Sequence, residues 1–239
     1  MNLLNNKYER IICICLKERQ DKYEYSKERF EKLGIEVEYF RPVIPGYAAK
    51  IIKPYTDIVN RRNEGYVLFN PEFPNEFGAL QSHYTVIKSA LLDGVQSLFI
   101  FEDDAAFHKD FNTLLPKYLD TIPEGTDGIQ LYSFMHHFEQ QNVRVKPRWT
   151  KGFGSWSIIA YGMNRRAMEG YVKLQDATPM IADRATWTMM TFQDFNFVVA
   201  SPPLVIPAKT LTSSIRGENK NYEKDKSVFL LGINENDYN

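Results

Sequence analysis

The chain alternates between short apolar runs and longer stretches in which apolar residues recur every three or four positions. Glu9 to Leu16 (ERIICICL) reads as a buried strand. Asp21 to Gly34 then places Tyr25, Phe30 and Leu33 on one face of a helix, charged residues on the other, and a glycine at the stop. Ile35 to Phe40 alternates as a strand should, which completes a βαβ unit. After RPVIPG, residues 41–46, the pattern dissolves until about Phe73 into an irregular stretch with Pro, Gly and Asn and with Arg61 and Arg62 adjacent; loops of that length in compact domains are usually functional or mobile. Asn75 to Gly94 resumes a helical period and Ser97 to Phe101 predicts a second central strand. Further on, the pattern predicts a helix over Asp110 to Leu119 and a strand over Gly128 to Phe134. A polar and basic loop follows to about Gly154, then a strand over Ser155 to Gly162. Helices over Arg165 to Leu174 and Ile181 to Met190 and a last strand near Phe197 complete the map, and beyond Thr210 a polar segment reads as a wrapping or flexible tail.

Such alternation points to an α/β fold with a mainly parallel central sheet flanked by helices, in which ligands sit beyond the carboxyl ends of the strands. At 239 residues, 44% of them hydrophobic, the chain can bury a large core without disulfide or metal, and one domain over 1–239 with a polar tail after about 217 is expected. A net charge of -1 gives no overall bias toward nucleic acid or an anionic membrane. The opening MNLLNNKYER lacks the apolar stretch of a signal peptide, so a cytoplasmic location is expected. Cys13 and Cys15 have no second pair and no neighbouring His, so they read as core thiols rather than zinc ligands. No repeat or low-complexity tract interrupts the chain.

The feature that composition does not explain is Glu102-Asp103-Asp104, three carboxylates directly after the apolar run Ser97 to Phe101. Adjacent carboxylates repel unless a cation sits among them, and Mg²⁺ or Mn²⁺ takes oxygen ligands and bridges to phosphates. A triplet at a strand end therefore suits a metal held against a nucleotide diphosphate, while a solvated acidic turn is the bland alternative. The loop Asn142 to Ser155 interleaves Arg144, Lys146, Arg148 and Lys151 with Trp149 and Phe153, which suits an acceptor clamp with Trp149 stacking on a sugar or a base. His136 and His137 end the strand at Gly128 to Phe134 and are placed at the rim of the same crevice.

Several of these pieces together resemble glycosyltransferase family 25, the group of lipopolysaccharide-type β-galactosyltransferases and procollagen galactosyltransferases. ICICLKERQDKY resembles the family's opening strand and Leu-Lys-Arg segment through Leu16, Lys17, Arg19 and Asp21, with Cys15 where the family often has Asn and Lys22 where it usually has Arg. GALQSHYTVIKSALLDGVQSLFIFEDD matches its Gly-x-x-x-Ser-His helix and Glu-Asp-Asp through Gly78, Ser82, His83, Glu102, Asp103 and Asp104. GSWSIIAYGMNRRAMEGY resembles its Tyr-containing strand and following helix, IADRATWTMM aligns Asp183 with a family Asp, and Ser201 to Ile215 looks like its closing strand and Ser-x-Ile element. The resemblance implies a GT-A-type nucleotide-sugar transferase fold and inverting transfer of a hexose or pentose from a nucleotide sugar, UDP-linked by preference, with Mn²⁺ or Mg²⁺. It implies Glu102 and Asp104 as metal residues, Lys17, Arg19, Lys22, Ser82, His83 and Asp103 as donor-binding residues, and Asp183 as general base. A lysine at 22 keeps the charge but lacks a bidentate fork.

The implied partners are the nucleotide-sugar donor and a hydroxyl-bearing acceptor, a glycan first and an anionic acceptor, modified nucleic acid included, second. A catalytically silent relative that binds a glycan or a partner through the same crevice is the alternative of another class. A nucleotidyl- or phosphotransferase is the third reading, disfavoured because no Gly-rich phosphate loop is present.

Overall fold

The computed structural model describes residues 2–42, 74–133, 148–152, 157–208, 210–211 and 234–239. In chain order the elements are α1 (Leu3–Lys7), β1 (Arg10–Ile14), α2 (Gln20–Leu33), β2 (Glu38–Phe40), α3 (Pro74–Leu92), β3 (Ser97–Glu102), β4 (Ala105–Phe107) and α4 (Phe111–Leu119). They continue with β5 (Gly128–Gln130), β6 (Arg148–Lys151), β7 (Ala160–Asn164), α5 (Arg165–Ala177), α6 (Ala182–Phe192), β8 (Phe197–Ser201) and β9 (Val205–Pro207). The helix limits follow the local chemistry. Gly34 ends α2 in the left-handed conformation with φ 67°, and Asn164 opens α5 by accepting a bond from the Ala167 amide.

Seven strands form the central sheet in the order β2-β1-β3-β7-β5-β8-β6. β1 pairs parallel with β2 and β3, and β5 pairs parallel with β8. β7 runs antiparallel to both β3 and β5, and β6 antiparallel to β8. Five strands thus share one direction, so the mainly parallel α/β architecture expected from the alternation is the one found. β3 lies inside the sheet, between β1 and β7, and is apolar on both faces, as a strand covered by helices on both sides must be. Its side chains divide strictly: Phe99 and Phe101 pack with Phe30, Phe107 and Tyr118 on the face of α2 and α4, while Leu98 and Ile100 pack with Ile87, Tyr171 and Met189 on the face of α3, α5 and α6.

The structure departs from the sequence expectation in four places. The strand expected over Gly128 to Phe134 is regular only to Gln130, and the one expected over Ser155 to Gly162 begins at Ala160 and runs to Asn164, because β7 takes its limits from pairing with β3 and β5. Part of the expected basic loop is β6, which pairs with β8 at the sheet edge; only tertiary pairing makes so short and polar a run a strand. β4 and β9 form a small second sheet of three-residue strands, too short to carry a periodic signal. The last residues return to that sheet. His108 bridges Tyr238, the Phe107 and Asn239 backbones exchange hydrogen bonds at 2.9 and 3.0 Å, and Lys109 pairs with Asp237 at 2.7 Å. Most of the stretch from Arg41 to Phe73, His136, His137 and most of the tail lie outside the described residues.

Gly162 sits directly opposite Phe99 in the β3–β7 register, and the Tyr8 ring lies edge-on to Phe99 at 5.0 Å between centroids. A methyl group at Gly162 would stand 2.3 Å from the Tyr8 hydroxyl oxygen. Gly162→Ala is therefore expected to cost about 1–3 kcal/mol by overpacking. A urea midpoint equal to wild type would show that Tyr8 moves aside at no cost.

Candidate active site at the carboxyl edge of the sheet

β1 and β3 are parallel neighbours, with Ile14 opposite Glu102, so the residues that follow them leave the sheet side by side. After β1 come Cys15, Lys17 and Arg19 and the first turn of α2; after β3 come Asp103 and Asp104. Arg41, just beyond β2, donates to the Lys17 carbonyl at 3.1 Å and to Gln20 Oε1 at 3.2 Å while its guanidinium lies over the Tyr23 ring, which ties the third parallel strand to the same loop.

The alternation of β3 continues into the acids and sends them to opposite sides. Glu102 turns toward α3, where its Oε1 lies 3.3 Å from His83 Nε2. Asp103 turns toward α2, where Oδ1 accepts from Lys22 Nζ at 2.8 Å; Asp104 Oδ2 accepts from the same ammonium at 3.3 Å. The Lys22 side chain is 2% exposed, those of Asp103 and Asp104 9% and 21%, and that of Glu102 33%, so the cluster opens outward through Glu102 and Asp104.

Burial alone would drag the Lys22 ammonium below its usual pKa, but the charges of Asp104 and Asp103 outweigh it and hold the group above the ordinary value. Burial raises both Asp103 and Asp104; Lys22 opposes the rise, and the neighbouring carboxylates add to it. Cys15, buried beside them, has its thiol pushed up to about 12 by burial and by the Asp103 charge, so it is an inert wall of the site rather than a nucleophile.

Behind Glu102 the chain of bonds runs inward. His83 Nδ1 lies 2.8 Å from the Tyr161 hydroxyl, and His83 is only 1% exposed. Burial raises the Tyr161 phenol well above its usual range; with that phenol donating to Nδ1, the ring proton sits on Nε2 and faces the Glu102 carboxylate. His83 thus stands behind Glu102 and orients it. Ser82 donates to the Gly78 carbonyl one turn back at 2.9 Å.

Among the cations, Arg19 holds Asp21 in a fork at 2.8 and 2.6 Å, and that bond with the charges of Asp21, Asp103 and Asp104 raises its pKa. Lys17 is exposed. Asp183 lies in the first turn of α6, where a carboxylate suits the helix N-terminus. The helix that carries it packs through Ala182, Ala185 and Met189 on the same face of the sheet as α3, the helix of His83. Trp149 does not serve as a clamp: it packs edge-on against Tyr118 at 5.4 Å, and its indole N–H donates to the Tyr118 carbonyl at 2.7 Å. Its alternating position in β6 turns it into the core.

A sequence model described as glycosyltransferase family 25 (LPS biosynthesis protein) matches residues 8–153, more than half of the 239. The chain belongs to glycosyltransferase family 25. The matched region carries β1, α2, α3 and β3, and with them every residue of the acid and cation cluster just described. Among curated proteins, none is similar enough in sequence to count as a match. Two solved structures are similar in outline. One is a glycosyltransferase involved in the glycosylation of the major capsid of PBCV-1 (TM-score 0.46, 11% identity, 92% of this chain and 98% of that one). The other is A197 from STIV (TM-score 0.35, 10% identity, 87% and 98%). At such scores the likeness is remote, and the assignment stands on the sequence match. No described helix of this family 25 member is long and apolar enough to cross a membrane.

The residues that sequence reasoning left without a role are Tyr161, Cys15 and Arg41. Tyr161 carried a signal, since it is the tyrosine of the strand that the resemblance covers; Cys15 was read only as a core thiol, and Arg41 had only its place after a strand. Tyr161→Phe leaves the buried His83 Nδ1 without its donor and is expected to destabilise the protein by about 1–3 kcal/mol. The ¹⁵N shifts of the His83 ring check the arrangement in the wild type. A proton found on Nδ1 alone would reverse the direction of the chain and detach Glu102 from it.

Proposed function

We propose that this family 25 enzyme transfers a sugar, with inversion, from a nucleotide donor, UDP-linked by preference, to a hydroxyl of a glycan acceptor. The observation that supports the reading is that Lys22 meets Asp103 and Asp104 where β1 and β3 end side by side, with Lys17, Arg19 and Glu102 at the same two strand ends, a setting that suits a diphosphate and a cation.

The fit of a divalent cation is specific in form. The three acids do not surround one point, and among the described residues no group of three His, Cys, Asp or Glu could hold a metal by itself. Mg²⁺ and Mn²⁺ do not require such a cage, because one or two carboxylates with substrate phosphates and water complete their coordination. Asp104 is the residue suited to hold the ion directly, with Glu102 as the second outward carboxylate. When bound, the cation offsets the charge that develops on the departing diphosphate. Lys17 and Arg19 supply fixed positive charge to the phosphates, and Tyr161 and His83 keep Glu102 in one orientation. Asp183 takes the proton of the attacking hydroxyl, as an inverting displacement requires of a carboxylate on the acceptor side.

A silent binding relative has no use for a buried lysine, two aspartates and a supported glutamate in one crevice, since each costs desolvation. The readings separate in a melting experiment with UDP-, GDP-, CMP- and TDP-sugars, each with and without Mn²⁺. A donor at about a hundred times its Kd stabilises by about 2.7 kcal/mol. A shift with one nucleotide that requires Mn²⁺ supports the transferase and names its donor, whereas no shift with any of them returns the chain to the silent class.

Two substitutions then divide the roles. Asp104→Asn is expected to abolish Mn²⁺-dependent donor binding with the fold intact; unchanged binding removes Asp104 from the metal site. Asp183→Asn is expected to leave donor affinity near wild type and lower kcat by about a hundredfold or more. Retained turnover assigns Asp183 to the helix N-terminus alone.

A further inference from the structure

Lys22 occupies a position that should repel an ammonium. It lies in the first turn of α2, where the helix presents its positive end, and its side chain is almost wholly removed from water. Both penalties fall on a residue that could have been apolar. What offsets them is the contact with Asp103 at 2.8 Å and Asp104 at 3.3 Å, two carboxylates of the cluster in which the divalent cation is proposed to act.

We propose that Lys22 is the built-in counter-cation of Asp103 and Asp104, and that a divalent ion must compete with its ammonium for Asp104. The inference rests on the metal reading given above. The two contacts are unequal in the direction this requires. Asp103 holds the shorter bond and is the more buried, so it is the permanent partner; Asp104 has the longer bond and the more exposed carboxylate, so it is the one released. A metal ion arriving alone meets an acid pair already neutralised in part, and binds weakly. A nucleotide diphosphate brings the negative charge that lets the ammonium and the metal share the site, so the ion loads together with the donor. Loading of the donor site is in this way gated by charge, with no moving lid required.

The test uses Mn²⁺ alone, without nucleotide, so it stands apart from the donor experiment. Mn²⁺ is titrated into wild type and Lys22→Met, with the free ion followed by its paramagnetic resonance signal and the melting temperature recorded in EDTA and in Mn²⁺. The wild type is expected to melt at the same temperature in both. Lys22→Met is expected to bind Mn²⁺ at least about tenfold more tightly, the smallest effect usual for a neighbouring opposite charge on a carboxylate. It should also melt lower in EDTA than in Mn²⁺. Equal Mn²⁺ affinity in the two proteins, or a wild type whose melting falls in EDTA, overturns the proposal. If Lys22→Met does not fold with or without Mn²⁺, the same titration is made with Lys22→Met/Asp103→Asn against Asp103→Asn, and the same tightening is required. A nucleotide panel without any shift would sink the donor reading and leave this comparison intact.

Discussion

The contact on which the rest of the site depends is the buried ammonium of Lys22 between Asp103 and Asp104. Like charges on consecutive residues cannot be packed against a sheet edge without compensation, and removing one partner of a buried pair is far more costly than breaking a surface one. Here the compensation comes from a helix 81 residues away in sequence, which couples the β1–α2 loop to the end of β3. The Arg10 pairs with Glu38 and Asp93 are closer in length, at 2.7 Å, but their carboxylates are more than half exposed, and they add correspondingly little.

The geometry of one strand distributes the chemistry. β3 alternates Leu98 and Ile100 toward α3 with Phe99 and Phe101 toward α2, and the same alternation carries Glu102 to His83 and Asp103 to Lys22. A triplet of acids that reads as one motif along the chain is thus two devices in space. One is a carboxylate oriented by the His83–Tyr161 pair from the face of α3, α5 and α6. The other is an ion cluster supported from the face of α2. The three acids thus share a motif but not one partner: Glu102 faces His83, while Asp103 and Asp104 share Lys22.

Around the site the packing is what keeps these placements fixed. Phe30 of α2 lies against Phe101 and Phe107 with ring centroids 5.1 and 5.6 Å apart, directly beneath the turn that carries Asp103 and Asp104. The aromatic cluster continues through Phe111 of α4. The helix bearing Lys22 and the strand bearing the acids are therefore held by apolar contacts that do not depend on the ions they align, and interiors packed in this way leave little room for either element to shift.

The α/β class and the parallel β1–α2–β2 unit were legible in the chain, because apolar periodicity and a glycine stop are local properties. So was the placement of the acids at a strand's carboxyl end, since four consecutive apolar residues, Leu98 to Phe101, suit a strand buried on both faces. The family followed from motifs that keep their spacing whatever surrounds them. The fold alone decided the rest. β6 is a strand only because β8 offers it an edge, and Trp149, half-buried, packs against the core only because that pairing turns it inward. His83 supports Glu102 from behind, and Lys22, which reads in the sequence as a weakened substitute for arginine, is a buried cation with two partners. Periodicity is written along the chain and can be read there, whereas the partner of a charge is fixed by which elements the sheet brings together.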